Sequence, residues 1–255
     1  MRLATWNVNS LNVRLPHVLD WLEKNPVEVL CLQETKQQDA DFPQAELLAA
    51  GYHAAFSGQK TYNGVAILSR VPMEEVQADI PDFDDEQKRV IAATINGIRV
   101  VCVYIPNGQA VDSDKYYYKL GWLSALREWL RGELQRYPKL VLLGDYNIAP
   151  EDRDVHDPVL WQGNILVSEA ERIQYQNLIK LGLHDCFRLF EQADKAYTWW
   201  DYRMMAFRRN HGVRIDHILI SEPLVPLCKS CVIDREPRKR DRPSDHTPVV
   251  VELAV

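Results

Sequence analysis

The sequence predicts an α/β fold built on mixed or antiparallel sheets, and three observations lead there. Short β-rich apolar runs alternate with longer segments of helical periodicity. Several of those runs are close neighbours joined by turn signals, which a purely parallel sheet does not allow. No internal repeat, low-complexity tract or long Ser/Gly linker interrupts the 255 residues, so residues 1–255 read as one domain.

The elements follow in order. Arg2–Val8 reads as a strand, and Arg14–Lys24 as a helix with Leu15, Val18, Leu19 and Leu22 on one stripe. Val27–Gln33 is a second strand, followed by a helical stretch around Pro43–Ala50. Gly64–Ser69, Arg89–Ile95 and Arg99–Ile105 are strands, the last two joined by Asn96-Gly97, a strong hairpin signal. Residues 114–136 form the longest helical pattern, with Leu123, Leu126, Trp129 and Leu130 aligned. Lys139–Leu143 is a buried strand, and a helix over about 168–181 ends at Gly182. Strands are expected at Val213–Ile220, Cys228–Asp234 and Thr247–Leu253.

Composition narrows the class. A hydrophobic fraction of 46% and a charged fraction of 26% exclude disordered and fibrous proteins. No apolar run approaches the roughly 18 residues of a membrane span, and the N-terminus lacks the apolar core of a secretory signal. Five cysteines, mostly in apolar contexts, suit a reducing, cytoplasmic setting. A net charge of −6 argues mildly against a nucleic-acid partner, but the charge is segregated. Residues 79–86 hold five acids, whereas 202–214 carry four arginines and no acid, and 235–242 carry five bases against two acids.

The informative feature is polar residues at the ends of strands, where loops hold side chains on a rigid base. Asn7 and Glu34 close the first two strands, Tyr104 lies near the end of another, and Asp145 and Asn147 follow Leu140–Gly144. Asp145 and Asn147 are two apart and project to one side of extended backbone, an acceptor beside a donor. Asp245 and His246 are adjacent and face opposite ways, so His246 needs another acid to orient it; Asp216, isolated in an apolar strand, is the candidate. Asp216 could equally pair with Arg214, and strand-end Asp and Asn also make turns. Hard oxygen ligands without a Cys/His cluster suggest magnesium or manganese rather than zinc. Cys228 and Cys231 have C-x-x-C spacing but no second ligand pair, and Trp199-Trp200 reads first as core.

The ordered strings Thr5–Ser10, Leu32–Lys36, Tyr104–Asn107, Leu143–Ile148, Arg214–His217 and Ser244–Pro248 closely resemble the exonuclease III family of abasic-site endonucleases, from residue 3 to about 250. The resemblance implies a four-layered α/β sandwich, two mixed sheets packed face to face with helices outside. It implies a Mg²⁺-dependent hydrolase (Mn²⁺ as substitute) acting on double-stranded DNA at abasic sites or blocked 3′ ends. Glu34 would be the principal metal ligand, with Asn7 and Asp245 completing the metal surroundings. Asp145 would orient or deprotonate water with Asn147 as its partner, and His246 with Asp216, and Tyr104, would contact the phosphate. Which of Asp145 and the His246–Asp216 pair activates the nucleophile stays open. Trp199, Val213 and Ile215 would line a pocket for a base-free sugar; Asn107, Arg203, Arg208, Arg209 and Arg240 would bind DNA, with Lys239 and Arg242 as further backbone contacts. The stretches Gln109–Val111 and Trp161–Ser168 depart from the family pattern, which leaves open a paralogue acting mainly on 3′ ends. A phosphomonoesterase of the same superfamily is disfavoured by the aromatic and arginine-rich 197–214 stretch. Nothing demands more than a monomer, and no membrane association is expected.

Overall fold

The computed structural model describes residues 1–255. Two six-stranded sheets pack face to face. The first contains β1 (Arg2–Asn7), β2 (Val29–Gln33), β3 (His53–Ser57), β4 (Val65–Ser69), β11 (Cys228–Ile233) and β12 (Val249–Leu253), in the order β11-β12-β1-β2-β4-β3. The second contains β5 (Glu74–Ala78), β6 (Val90–Ile95), β7 (Ile98–Tyr104), β8 (Leu140–Asp145), β9 (Leu183–Asp185) and β10 (Asp216–Ser221), in the order β5-β6-β7-β8-β10-β9. Each sheet is antiparallel except for one parallel pair, β1 with β2 and β7 with β8. A helix makes each parallel crossover, α1 (Leu11–Lys24) in one sheet and α3 (Asp114–Arg136) in the other. The four-layered sandwich is therefore the observed architecture.

The period-2 alternation of the strands sorts the core into three slabs. Leu3, Val29, Cys31, Val100, Cys102, Val141, Leu143, Ile218 and Ile220 fill the space between the sheets. Ala4, Trp6, Leu30, Leu32, Ala66 and Leu68 face outward and meet Val18, Trp21 and Leu22 of α1 and Leu47 of α2 (Gln44–Ala49). On the other side Val101, Val103, Leu140, Leu142 and Leu219 meet Leu123, Leu126 and Leu130 of α3. Tyr175 and Leu178 of a later helix, Glu169–Ile179, join that slab.

Local signals explain the boundaries. Asn96 and Gly97 both take positive φ, 50° and 75°, the conformation a two-residue hairpin turn needs. Ser113 caps α3 by accepting from the Tyr116 N–H, and Ser168 and Glu171 form a reciprocal capping box at the later helix. Three strands have no counterpart in the sequence reading: β3, β5 and β9. All three are edge strands with a single neighbour, and β5 (EEVQA) is largely exposed, so none carries a buried apolar run. Asp216 opens β10, and the expected strand residues Val213–Ile215 lie in the loop before it.

No helix is long and apolar enough to cross a membrane.

Candidate active site

The slab between the sheets is apolar along most of its length and turns polar at one end. Along β1 the inward series is Leu3, Thr5, Asn7; along β7 it ends Val100, Cys102, Tyr104; along β8 it runs Val141, Leu143, Asp145; along β10, read backward, Ile220, Ile218, Asp216. Strand register brings these ends together: Asp145 stands opposite Tyr104 on one side and Asp216 on the other. Asp216 and Asp145 are each 1% exposed and His246 is 4% exposed, so the cluster is a floor of buried charge. Beneath it Gln33 donates to Thr5 Oγ1 at 2.9 Å and to Cys102 Sγ at 3.3 Å, a polar layer between the site and the apolar slab.

Backbone conformation aims the side chains. Asn9 and Ser10 after β1, Glu34 and Lys36 after β2, and Asn147 after β8 all have positive φ. Non-glycine residues hold that conformation only where their surroundings enforce it. Asn147 N–H donates to Asp145 Oδ1 at 2.9 Å, and Asn147 Nδ2 donates to the Ile105 carbonyl at 2.9 Å.

At the centre, one ligand atom each from Glu34, Asp145 and His246 lies within 4.8 Å of the others. Asn7 Nδ2 donates to Glu34 Oε1 at 2.9 Å and to Asp145 Oδ2 at 2.8 Å, bridging the two carboxylates. Its amide oxygen accepts from Asn9 N–H, so Asn7 positions the carboxylates. His246 Nδ1 lies 2.9 Å from Asp216 Oδ2, the pairing that the spacing argument anticipates, while Nε2 lies 3.7 Å from Asp145 Oδ2. The competing Asp216–Arg214 pair does not form: Arg214 binds Asp154 and Asp185 instead.

Electrostatics follow from the geometry. Burial raises the Asp145 carboxyl to about 7, with His246 opposing the rise and Asp216 adding to it. Burial alone would depress His246, but Asp216 and Asp145 outweigh it and raise the imidazole to about 10. Tyr104 is pushed well above the usual phenol range by burial and by Glu34 and Asp145, so it stays a neutral O–H donor; its ring also carries Arg89 at 4.7 Å. The Glu34 carboxylate, with the Asp145 carboxylate beside it and no thiolate, fits a hard divalent cation, while the protonated His246 stays outside the ligand set.

Other expected residues lie around this centre. Asp245 stands one step back: its oxygens accept from Asn9 Nδ2 and Trp199 Nε1, each at 2.9 Å. It connects to Glu34 through Lys36, whose Nζ reaches Asn9 Oδ1 at 2.6 Å and Glu34 Oε2 at 2.9 Å. Asn107 donates to Asn147 Oδ1 at 3.0 Å. Val213 and Ile215 are 0% and 2% exposed, inside a closed apolar cluster with Leu166 and Val167. Trp199, half-buried, packs against the same cluster and bridges to Val213, so the three residues expected to line a sugar pocket are brought together. Arg208 and Arg209 are exposed on the short turn Ala206–Arg209. Arg203 is exposed but paired with Asp201 at 2.6 Å. Arg240 is paired as well: its guanidinium is bound to Asp20 and to the His17 carbonyl of α1.

The sequence reading passes over several residues that hold the site. Asn9 and Lys36 sit inside quoted motifs but had no role. Arg214, Asp154, Asp185 and His217 form a buried network behind β10. Lys119 is fully buried; a lysine in line with Tyr116, Leu123, Leu126 and Leu130 on α3 was its one sequence signal.

Residues 4–246 match the endonuclease/exonuclease/phosphatase family. The chain is 34% identical to the exodeoxyribonuclease III of Haemophilus influenzae, over 99% of this chain and 100% of that one. It superposes with a TM-score of 0.98 on a Neisseria 3′ phosphatase bound to product DNA hairpin, at 50% identity and 99% coverage of both chains. An AP endonuclease from Archaeoglobus fulgidus gives 0.96 at 40% identity, with 100% of both chains covered. Two mixed sheets whose strand ends gather carboxylates around one histidine, matched end to end by such relatives, make this chain a member of the endonuclease/exonuclease/phosphatase family.

Proposed function

We propose that this protein is a divalent-cation-dependent DNA-repair phosphodiesterase of the exonuclease III kind. It acts on double-stranded DNA as an AP endonuclease, a 3′–5′ exonuclease and a 3′-phosphatase. The observation that carries the reading is the convergence of Glu34, Asp145 and His246 within 4.8 Å at the shared end of the two sheets. Full-length similarity to an exodeoxyribonuclease III, a DNA-bound 3′ phosphatase and an AP endonuclease supports the substrate class.

The chemistry follows from charge. A phosphodiester repels an incoming hydroxide, and its transition state gathers further negative charge on oxygen. Asp145, with its proton affinity raised to about 7, is matched to accept a proton from the attacking water near neutral pH. His246, held cationic by Asp216, presents Nε2–H to a phosphate oxygen. Tyr104 and the Asn147 and Asn107 amides supply further neutral donors at the strand ends. Glu34, braced by Asn7 and backed through Lys36 and Asn9 by Asp245, would hold a Mg²⁺ ion, with Mn²⁺ as substitute. Such an ion supplies Lewis-acid stabilisation of the charge that develops on phosphate. A single chain presents every residue of this site, so the reaction demands no more than a monomer.

The test is a rate comparison on three duplexes, carrying an abasic-site analogue, a 3′-phosphate or a recessed normal end, with an inositol polyphosphate alongside. Turnover of the duplexes with Mg²⁺ and its loss in EDTA is expected. Turnover of the inositol polyphosphate alone would overturn the reading.

A further inference from the structure

We infer that Lys119, through its buried pair with Glu171, is a positioning residue that sets the spacing of the two loops carrying Asn107 and Asn147. The inference rests on the reading of Asn147 and Asn107 as phosphate-side donors.

Lys119 lies on α3, outside the cluster at the strand ends, and its side chain is 0% exposed. A buried ammonium is costly unless each of its protons finds an acceptor. Here all three do: Nζ donates to the Asn147 carbonyl at 2.7 Å, to the Asn107 carbonyl at 3.2 Å and to Glu171 Oε1. One cation thus clamps the backbones of the loop after β7 and the loop after β8. The same two residues meet again through side chains, Asn107 Nδ2 to Asn147 Oδ1 at 3.0 Å, so the contact is a closed ring.

Glu171 extends the clamp to a third loop. It accepts from Leu166 N–H and Ser168 N–H, each at 3.1 Å, and from Ser168 Oγ at 2.6 Å. Gly108, at φ 89°, lets the first loop close over the lysine stem: a Cβ there would stand 3.1 Å from Lys119 Cδ and 2.9 Å from Ile165 Cδ1. A capping box alone needs only Ser168 and Glu171, and an apolar residue at 119 would satisfy the core. What the lysine adds is a bond to two carbonyls whose residues carry the site's amides.

The experiment measures kcat, KM and Tm on a 3′-phosphate duplex for Lys119→Met, Lys119→Arg, Asn147→Ala, the Lys119→Met/Glu171→Gln pair and Lys119→Met combined with Asn147→Ala. The Met/Gln pair removes both charges, so that folding survives without an unpaired buried carboxylate. It is expected to lose roughly 10–100-fold in kcat with KM little changed, the cost of a misplaced donor. Lys119→Arg should recover part of that rate. Once Asn147 is alanine, Lys119→Met should cost much less than it does alone, the remainder being its hold on Asn107. A Met/Gln variant turning over at the wild-type rate, or losses that multiply independently with Asn147→Ala, would overturn the inference alone. A near-normal kcat for Asn147→Ala would overturn the functional reading beneath it.

Discussion

Strand β10 carries two buried charged clusters back to back, and they differ in how charge is compensated. Asp216 faces the space between the sheets and holds His246; His217, the next residue, faces the opposite side and meets Arg214. Both imidazoles are at least 96% buried. Around His217 the bookkeeping closes: Arg214 sits between Asp154 (2.7 Å) and Asp185 (2.9 Å), Arg188 also binds Asp154, and Tyr175 donates to Asp185 at 3.1 Å. Around His246 it stays open. Asp216, Asp145, Glu34 and Asp245 gather around one imidazole and one ammonium, that of Lys36, leaving excess negative charge at the mouth of the site. Burial of charge therefore marks neither function nor structure; the missing countercharge marks the reacting side.

The sharpest way to break this contrast is substitution on either side. Asp145→Asn keeps the shape of the side chain and removes a carboxylate that folding forces into a poor environment. It should lower kcat by roughly 10²–10⁴ or more while leaving DNA affinity comparatively intact. Stability should hold or rise, because the folded protein no longer carries a carboxylate whose ionisation burial opposes. His246→Ala should lose rate to a similar degree. Steady-state rates beside urea unfolding curves decide it, and a near-normal rate in either variant would remove these residues from the chemistry.

Arg214→Met tests the other side. It strands Asp185 in the interior and leaves Asp154 to Arg188 alone, which should cost about 3–5 kcal/mol of stability. The rate per folded molecule should fall far less than for Asp145→Asn, since Arg214 touches no residue of the central cluster. Equal losses of rate in both variants would show that the two clusters are one functional unit.

This division explains what the sequence disclosed. The reacting side was legible because period-2 strands that should stay apolar end in Asn7, Tyr104, Asp145 and Asp216, and because adjacency of Asp245 and His246 demanded a separate acid. The supporting side was hidden because its members interrupt no buried alternation: Asp154 lies in the short turn Asp152–Asp154 and Arg214 in the loop before β10. Central strands were legible for the same reason, their buried alternation, while the edge strands β3, β5 and β9 lack it. Trp199, Val213 and Ile215 were grouped by residue type, but type does not reveal that Leu166 and Val167 pack into the same cluster.

A smaller effect separates the two histidines by pH. Burial, then Arg214, depresses His217 to about 4, below its ordinary 6.5. The unfolded chain therefore binds that proton first, and stability present above pH 6.5 is lost as pH falls toward 4, on the order of 3 kcal/mol. His246 has the opposite sign. Its folded value, about 10, lies above the ordinary one, so its contribution is full below pH 6.5 and disappears as pH rises through 10. Imidazole ¹⁵N spectra of the protein in EDTA at pH 7 should show His246 protonated on both nitrogens. His217 should be neutral, with its proton on Nε2, which faces the Ile148 carbonyl at 2.8 Å. A neutral His246, or a His217 titrating near 6.5, would erase the distinction.

The same criterion sorts the surface arginines, where effects are smallest. Arg240 is bound to Asp20 and Arg203 to Asp201, whereas Arg208 and Arg209 are exposed and have no carboxylate partner. A guanidinium already paired has little to gain from a phosphate, while an unpaired one releases a counterion on binding. Arg208→Ala and Arg209→Ala should each weaken duplex binding and reduce the slope of log K against log salt by about 1. Arg240→Ala should leave that slope alone and cost at most about 1 kcal/mol of stability through its lost pair with α1. Titrations of a catalytically silent Asp145→Asn background at several salt concentrations read both quantities. If the Arg240→Ala slope fell as much as the Arg208→Ala slope, compensation would not be what divides the protein's charges into structural and functional sets.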